Sequence, residues 1–190
     1  MPDAGRVIAG TARGLRLEAP GPGTRPIGDR VKQTLFAILE PDLPGARVLD
    51  LFAGSGAAGI EALSRGAAGA VFVERDPGAC SIITANIARA RLAGLSVRVV
   101  RADVLAWLVS TAATEAGPFD LVIADPPYDG AGAMDQTLES LGPLLAPGAR
   151  VVAKHFWRET PPPVIGLLAS ERERRFGETA LTFYRRQETR

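Results

Sequence analysis

The chain has 190 residues, 46% hydrophobic and 23% charged, with a formal net charge of +1. That balance predicts one soluble globular unit with a substantial core, and no apolar run approaches the roughly 20 residues needed to span a bilayer. The start, MPDAGRVIAG, lacks a secretory leader's pattern, while Cys80 and His155, each the single residue of its type, exclude an internal disulfide and a Cys/His zinc cluster, so no metal and a cytoplasmic location are expected.

The first 45 residues read as a basic extension: a small hairpin around TARG, a Pro/Gly loop, and an amphipathic helix over 28–39. Val31, Leu35, Ile38 and Leu39 are expected on the helix's inner face. Arg6, Arg13, Arg16, Arg25, Arg30 and Lys32 crowd this segment, and six more arginines lie between Arg172 and Arg190. Such ends suit a polyanionic partner, and equally a solvated arginine-rich surface. Arg13, Arg25, Arg30 and Lys32 are the candidate phosphate contacts.

From residue 46 to 190 apolar runs alternate with helical stretches. Strands are predicted at 47–52, 70–74, 97–102, 120–125 and 149–154, rich in Val, Ile and Leu. Helices are predicted at 57–66 with Gly66 as C-cap, at 76–94 with Asp76 as N-cap, from Asp103 to about Ala113, and at 134–145. ERERRF (171–176) and ALTFYRR (180–186) read as an antiparallel hairpin, and PPPVIG (161–166) as a rigid connector. The expected fold class is α/β: a Rossmann-like, seven-stranded, mostly parallel sheet with an antiparallel C-terminal hairpin and a packed N-terminal extension, together one structural unit. Cys80 is expected to pack in the core.

DLFAGSGAAG contains G-x-G-x-x-G at Gly54, Gly56 and Gly59, with Glu74 twenty positions after Gly54. This matches a dinucleotide-binding turn. Charge argues for a different cofactor. Asp50 would face a dinucleotide's pyrophosphate anion to anion, whereas S-adenosylmethionine brings an ammonium and a sulfonium. Glu74 is placed to accept ribose hydroxyls, and Asp103 an adenine amino group; the bland alternative makes Asp50 and Asp103 simple caps.

ADPPYDG follows the fourth predicted strand. Its prolines stiffen the loop so that Asp125 and the Pro126 carbonyl accept the two N–H bonds of a planar amine, with Tyr128 stacking on the ring. A helical base cannot enter such a slot, so the target must be unpaired or flipped out.

DLFAGSG with ADPPY is similar to Rossmann-type methyltransferases acting on amino groups. RVIAGTARGLRL, TRPIGDRVKQTLF, DLFAGSGAAGIEALSRGA and FGETALTFYR resemble the bacterial methyltransferases that modify one guanine N2 of small-subunit (16S) ribosomal RNA. The resemblance covers nearly the whole chain. It implies that Asp125, Pro126, Pro127 and Tyr128 form the catalytic loop. It also implies that Asp50, Phe52, Gly54, Gly56, Glu74, Arg75, Asp103, Val104 and Asp125 hold S-adenosylmethionine. Because the family motif sits just ahead of the first strand, it further implies that Thr24, Arg25 and Asp29 are candidates to line its cleft, with Arg13, Arg25, Arg30 and Lys32 meeting RNA phosphates. The implied partner is 16S rRNA in the small subunit or an assembly intermediate, and the implied enzyme a monomer. One departure stands out: where such sequences often carry an acid after the fifth strand, this one has Lys154 and His155, with His155 expected to be structural or a phosphate contact. The rival readings are a DNA adenine-N6 methyltransferase, an NAD-dependent oxidoreductase and a non-catalytic RNA-binding factor.

Overall fold

A computed structural model describes residues 3–21, 27–127 and 132–188. A two-stranded antiparallel hairpin, β1 (Asp3–Arg6) and β2 (Arg16–Glu18), leads to helix α1 (Asp29–Leu39). The main body follows as β3 (Arg47–Leu51), α2 (Ala57–Ser64), β4 (Gly69–Glu74), α3 (Pro77–Arg89), β5 (Ser96–Arg101), α4 (Val104–Leu108) and α5 (Thr111–Ala116). It continues through β6 (Phe119–Ala124), α6 (Ala133–Ser140), β7 (Leu145–Phe156), β8 (Val164–Ile165), β9 (Leu168–Phe176) and β10 (Thr179–Arg186).

These strands form one sheet in the order β5-β4-β3-β6-β7-β10-β9-β8. The first five are mutually parallel, while β10 runs antiparallel to β7 and β9 antiparallel to β10. The expected parallel sheet with its C-terminal hairpin is therefore present. Its eighth strand is the two-residue β8, which pairs with β9 at the edge inside the segment read as a connector. Both faces are covered: Val48 packs into one apolar cluster, Leu49 and Leu51 into the other. That double burial is why the parallel strands read as continuous apolar runs. The chain reverses its direction of travel across the sheet between β3 and β6, and strand ends there open a crevice. No described helix is long and apolar enough to cross a membrane.

Local signals explain most helix ends. Asp76 caps α3 by accepting from the Ala79 amide at 2.7 Å. Gly66 (φ 105°) ends α2 with reciprocal bonds from Gly66 N to Leu63 O and Ala67 N to Ala62 O, the Schellman pattern. Three expectations need correction. The 76–94 helix stops at Arg89, because Arg91 turns into the left-handed region at φ 57° before Gly94 is reached. The helix from Asp103 is two short ones, since Ser110 leaves the helical path and caps α5 through the Ala113 amide. Cys80 is half-buried rather than core, with its thiol against the Glu74 carbonyl at 3.4 Å.

The inner face of α1 is wider than expected: Lys32, Leu35, Phe36 and Leu39 are buried, and Val31 and Ile38, partly buried, pack against the same core. Lys32 is wholly buried and donates to the Arg6 carbonyl at 2.5 Å, with Asp29 at 3.8 Å. It cannot reach an RNA phosphate, and burial lowers its pKa. Asp29 pairs with Arg6 as well and does not line the cleft described below. Arg13 and Arg30 are exposed, whereas Thr24 and Arg25 lie outside the described residues.

The N-terminal hairpin is fastened by polar groups that helix α2 buries. All eight residues of α2 are buried, Glu61 completely. Its carboxylate accepts from Ile8 N at 2.7 Å, Ala9 N at 3.0 Å and the Arg65 guanidinium at 2.7 Å. Asn86 of α3 similarly receives the Glu18 amide at 3.0 Å and donates to the Glu18 and Ser55 carbonyls. Removing Glu61 would strand two amides and loosen Arg65. Glu61→Ala is expected to cost about 3 kcal/mol, read as a fall in thermal midpoint of roughly 6–12 °C by scanning calorimetry. An unchanged midpoint would contradict this anchoring.

Candidate functional site

At the carboxyl ends of the parallel strands lies a cleft of about 500 Å³, large enough for a nucleoside-sized ligand. Its walls come from β3, β4, β5, β6 and β7 and from the N-terminal segment. Among the expected residues, Asp50, Phe52, Gly54, Glu74, Arg75, Asp103, Val104, Asp125, Pro126 and Pro127 all line it. Gly56 stands just behind as the left-handed residue (φ 74°) opening α2.

The glycine turn is built as the spacing requires. Phe52 adopts φ 58°, which is costly for a bulky residue and marks a strained turn. Gly54 N donates to Glu74 Oε2 at 2.9 Å, tying the turn to the end of β4. A Cβ on Gly59 would lie 2.3 Å from the Phe72 ring, so the third glycine permits the close approach of α2 to the sheet.

The acids then take distinct positions. Asp50 is 3% exposed, and its Oδ2 accepts from Gly59 N at 2.8 Å. Burial pushes its pKa up to about 8; the Gly59 amide opposes this, and the charges of Asp125 and Glu74 add to it. Glu74 accepts Gly54 N on one oxygen and Asp76 N on the other at 2.9 Å, and each oxygen keeps a second lone pair for a ligand. Asp103 caps α4 through Ala106 N at 3.1 Å while facing the cleft, so capping and lining coexist.

Asp125 follows β6 directly. Its Oδ1 accepts from Lys154 Nζ at 2.6 Å. Burial raises its pKa and the Lys154 ammonium opposes that rise. Pro126 is buried and Pro127 exposed; Tyr128 lies outside the described residues. His155 is 4% exposed and does not line the cleft; its ring meets the Phe156 carbonyl and Thr182 Oγ1, each at 2.8 Å. Its place is structural, and its burial removes it from phosphate contact.

Sequence reading missed two parts of the wall. Ala4, Ala19 and Ile27 bring the N-terminal segment over the cleft, and no periodicity marks small apolar residues for that task. Lys154 stood out as a charge of unexpected sign, but its contact with Asp125 joins residues 29 positions apart. The register of β6 with β7, Ala124 opposite Ala153, creates that proximity.

A family model described as conserved hypothetical protein 95 matches residues 5–185. Ribosomal RNA small subunit methyltransferase D of Escherichia coli K12 is 37% identical over 185 residues, covering 96% of this chain and 90% of the relative. The solved structure of yhhF from Escherichia coli has a TM-score of 0.83 at 34% identity, covering 96% of this chain and 97% of that one. A hypothetical protein of Thermus thermophilus has a TM-score of 0.79 at 36% identity, covering 94% and 97%.

Proposed function

The chain belongs to the family described as conserved hypothetical protein 95, and from that premise we propose that it methylates the exocyclic N2 amine of a guanine in 16S rRNA. The substrate is the small subunit or an assembly intermediate, in keeping with the printed name of the Escherichia coli relative. S-adenosylmethionine, when bound, supplies an electrophilic methyl group on a positively charged sulfur.

One observation carries the choice of cofactor. Asp50 is a buried acid whose charge is unfavourable in the unliganded site, with Asp125 and Glu74 adding repulsion. A cationic ligand relieves that repulsion, whereas a pyrophosphate would deepen it. The donor set fits: Asp50 toward an ammonium, Glu74 toward ribose hydroxyls, Asp103 toward an adenine amine, and Phe52, Val104 and the Gly54 backbone as walls.

Across the same cleft, Asp125 and the Pro126 carbonyl accept the two N–H bonds of the guanine amine, and Tyr128 stacks on its ring. A guanine amine is a poor nucleophile because its lone pair delocalises into the ring. Two fixed acceptors favour a more tetrahedral nitrogen and stabilise the positive charge it acquires. Holding the amine against the methyl donor supplies proximity. The surplus proton then leaves to water, since His155 is buried elsewhere. Arg13 and Arg30, exposed on the N-terminal segment, meet RNA phosphates.

The test is transfer of labelled methyl from S-adenosylmethionine to three substrates: unmodified small-subunit particles, naked rRNA and duplex DNA. Label is expected in the RNA of one or both ribosomal substrates and not in DNA. Label in DNA alone overturns the proposal.

A further inference from the structure

We propose that Lys154 is the positioning residue for the amine-accepting carboxylate: it grips Oδ1 of Asp125 and commits Oδ2 to the substrate amine. This inference rests on the function proposed above and deepens it.

The geometry is specific. Lys154 lies on β7 alongside Asp125, one residue beyond the paired Ala124 and Ala153. It is 8% exposed, lines the same cleft, and its Nζ stands 2.6 Å from Oδ1. A buried ion pair is a poor device for stability, because losing hydration offsets most of the attraction. A lysine drawn into the wall of a cleft, against a loop aspartate, therefore needs another reason. That reason is the state of the acceptor. A carboxyl that takes up a proton turns one oxygen into a donor and weakens the other as an acceptor. An amine gaining positive charge would then meet a neutral group.

Burial is what opposes ionisation of Asp125, by removing water from its carboxylate. Asp50 and Glu74 line the same cleft, and the charges of Asp125 and Glu74 act on Asp50. Arg75, Asp76 and Asp103 line the cleft just past the ends of β4 and β5, and His155 is bonded to Thr182 and the Phe156 carbonyl instead. Among the described residues, Lys154 is the cation shown in direct contact with Asp125. Its position on Oδ1 sets the carboxylate between ammonium and substrate, so the cation orients the acceptor without opposing the amine's developing charge.

The experiment compares wild type, Lys154→Met, Lys154→Gln and Lys154→Arg. Single-turnover methyl transfer to the ribosomal substrate is followed against pH with saturating cofactor. In parallel, the Asp125 carboxyl is titrated by carbon-13 NMR without substrate. The two neutral variants should move the acidic limb upward by about one to two pH units, a loss of about 10–100-fold at pH values below the wild-type midpoint that narrows in alkali. Lys154→Arg should keep the wild-type profile, and S-adenosylhomocysteine affinity should stay within a few-fold throughout. The Asp125 titration should rise in Met and Gln and stay at its wild-type position in Arg. Profiles of unchanged shape in Met and Gln overturn the proposal, whatever their height, and so does an unmoved Asp125 titration. Should wild type transfer nothing to RNA, the function proposed above fails, while the NMR titration still decides whether Lys154 holds the carboxylate.

Discussion

Asp125→Asn is expected to lower methyl transfer by about 10²–10³-fold while leaving cofactor affinity within a few-fold, the loss typical of one preorganised polar group. The substitution keeps size and changes chemistry. Lys154 offers only donors, so the amide oxygen turns to meet it where Oδ1 now sits. The amide nitrogen is left facing the cleft, donor against donor with the substrate amine. Cofactor binding should survive because the contacts proposed for it lie at the ends of β3, β4 and β5. Removing the Asp125 charge also eases ionisation of Asp50, which favours a cationic ligand. Single-turnover transfer with calorimetric titration of S-adenosylhomocysteine checks both halves. Wild-type turnover would remove Asp125 from the mechanism, and lost cofactor binding would reassign it.

Asp50→Asn should do the reverse at the other end of the cleft, weakening S-adenosylmethionine by about 10–100-fold, the worth of one charge-assisted hydrogen bond. It should also make the unliganded protein more stable toward alkaline pH. Asp50 has an ordinary value of 3.8 raised to about 8 in the folded chain. Between those values the folded state binds the extra proton, so stability from this group falls as pH rises through that window. Asparagine carries no such cost, and its oxygen can keep the 2.8 Å bond from Gly59 N. Thermal unfolding of both proteins at about pH 5 and about pH 8 should show the midpoints diverging at the higher value, where the asparagine variant loses nothing to ionisation. A variant that is less stable at about pH 8 and binds cofactor normally would refute this role for Asp50. The site thus gives up stability in the empty state to hold a cation, a common trade at binding sites.

The parts legible in the sequence are those written in local chemistry. Asp76 before a proline, Gly66 after an apolar helix and the Gly54–Gly56–Gly59 spacing each act within a few residues, and each stands where it was expected. Strand-end acids were readable because parallel strands deliver their last residues to one edge. What escaped depends on distant partners. Lys32 sits in a helix pattern that allows exposure, yet the Arg6 carbonyl, 26 residues earlier, satisfies it inside. Nothing in the helix pattern over 57–66 marks Glu61, whose carboxylate binds two backbone amides of the N-terminal segment more than 50 residues earlier. The pairing of Lys154 with Asp125 follows from β6–β7 register, which no single-residue property encodes. The family resemblance pointed to the cleft but offered no partner for a lysine at that strand end.

The central claim is most directly tested by the product itself. Unmodified small-subunit particles are incubated with the protein and S-adenosylmethionine, their 16S rRNA is digested, and the nucleosides are identified by mass spectrometry. N2-methylguanosine at a single site, reaching one methyl group per particle, is the predicted result. Methylated adenosine, or intact particles beside a protein that binds S-adenosylmethionine tightly, would contradict it.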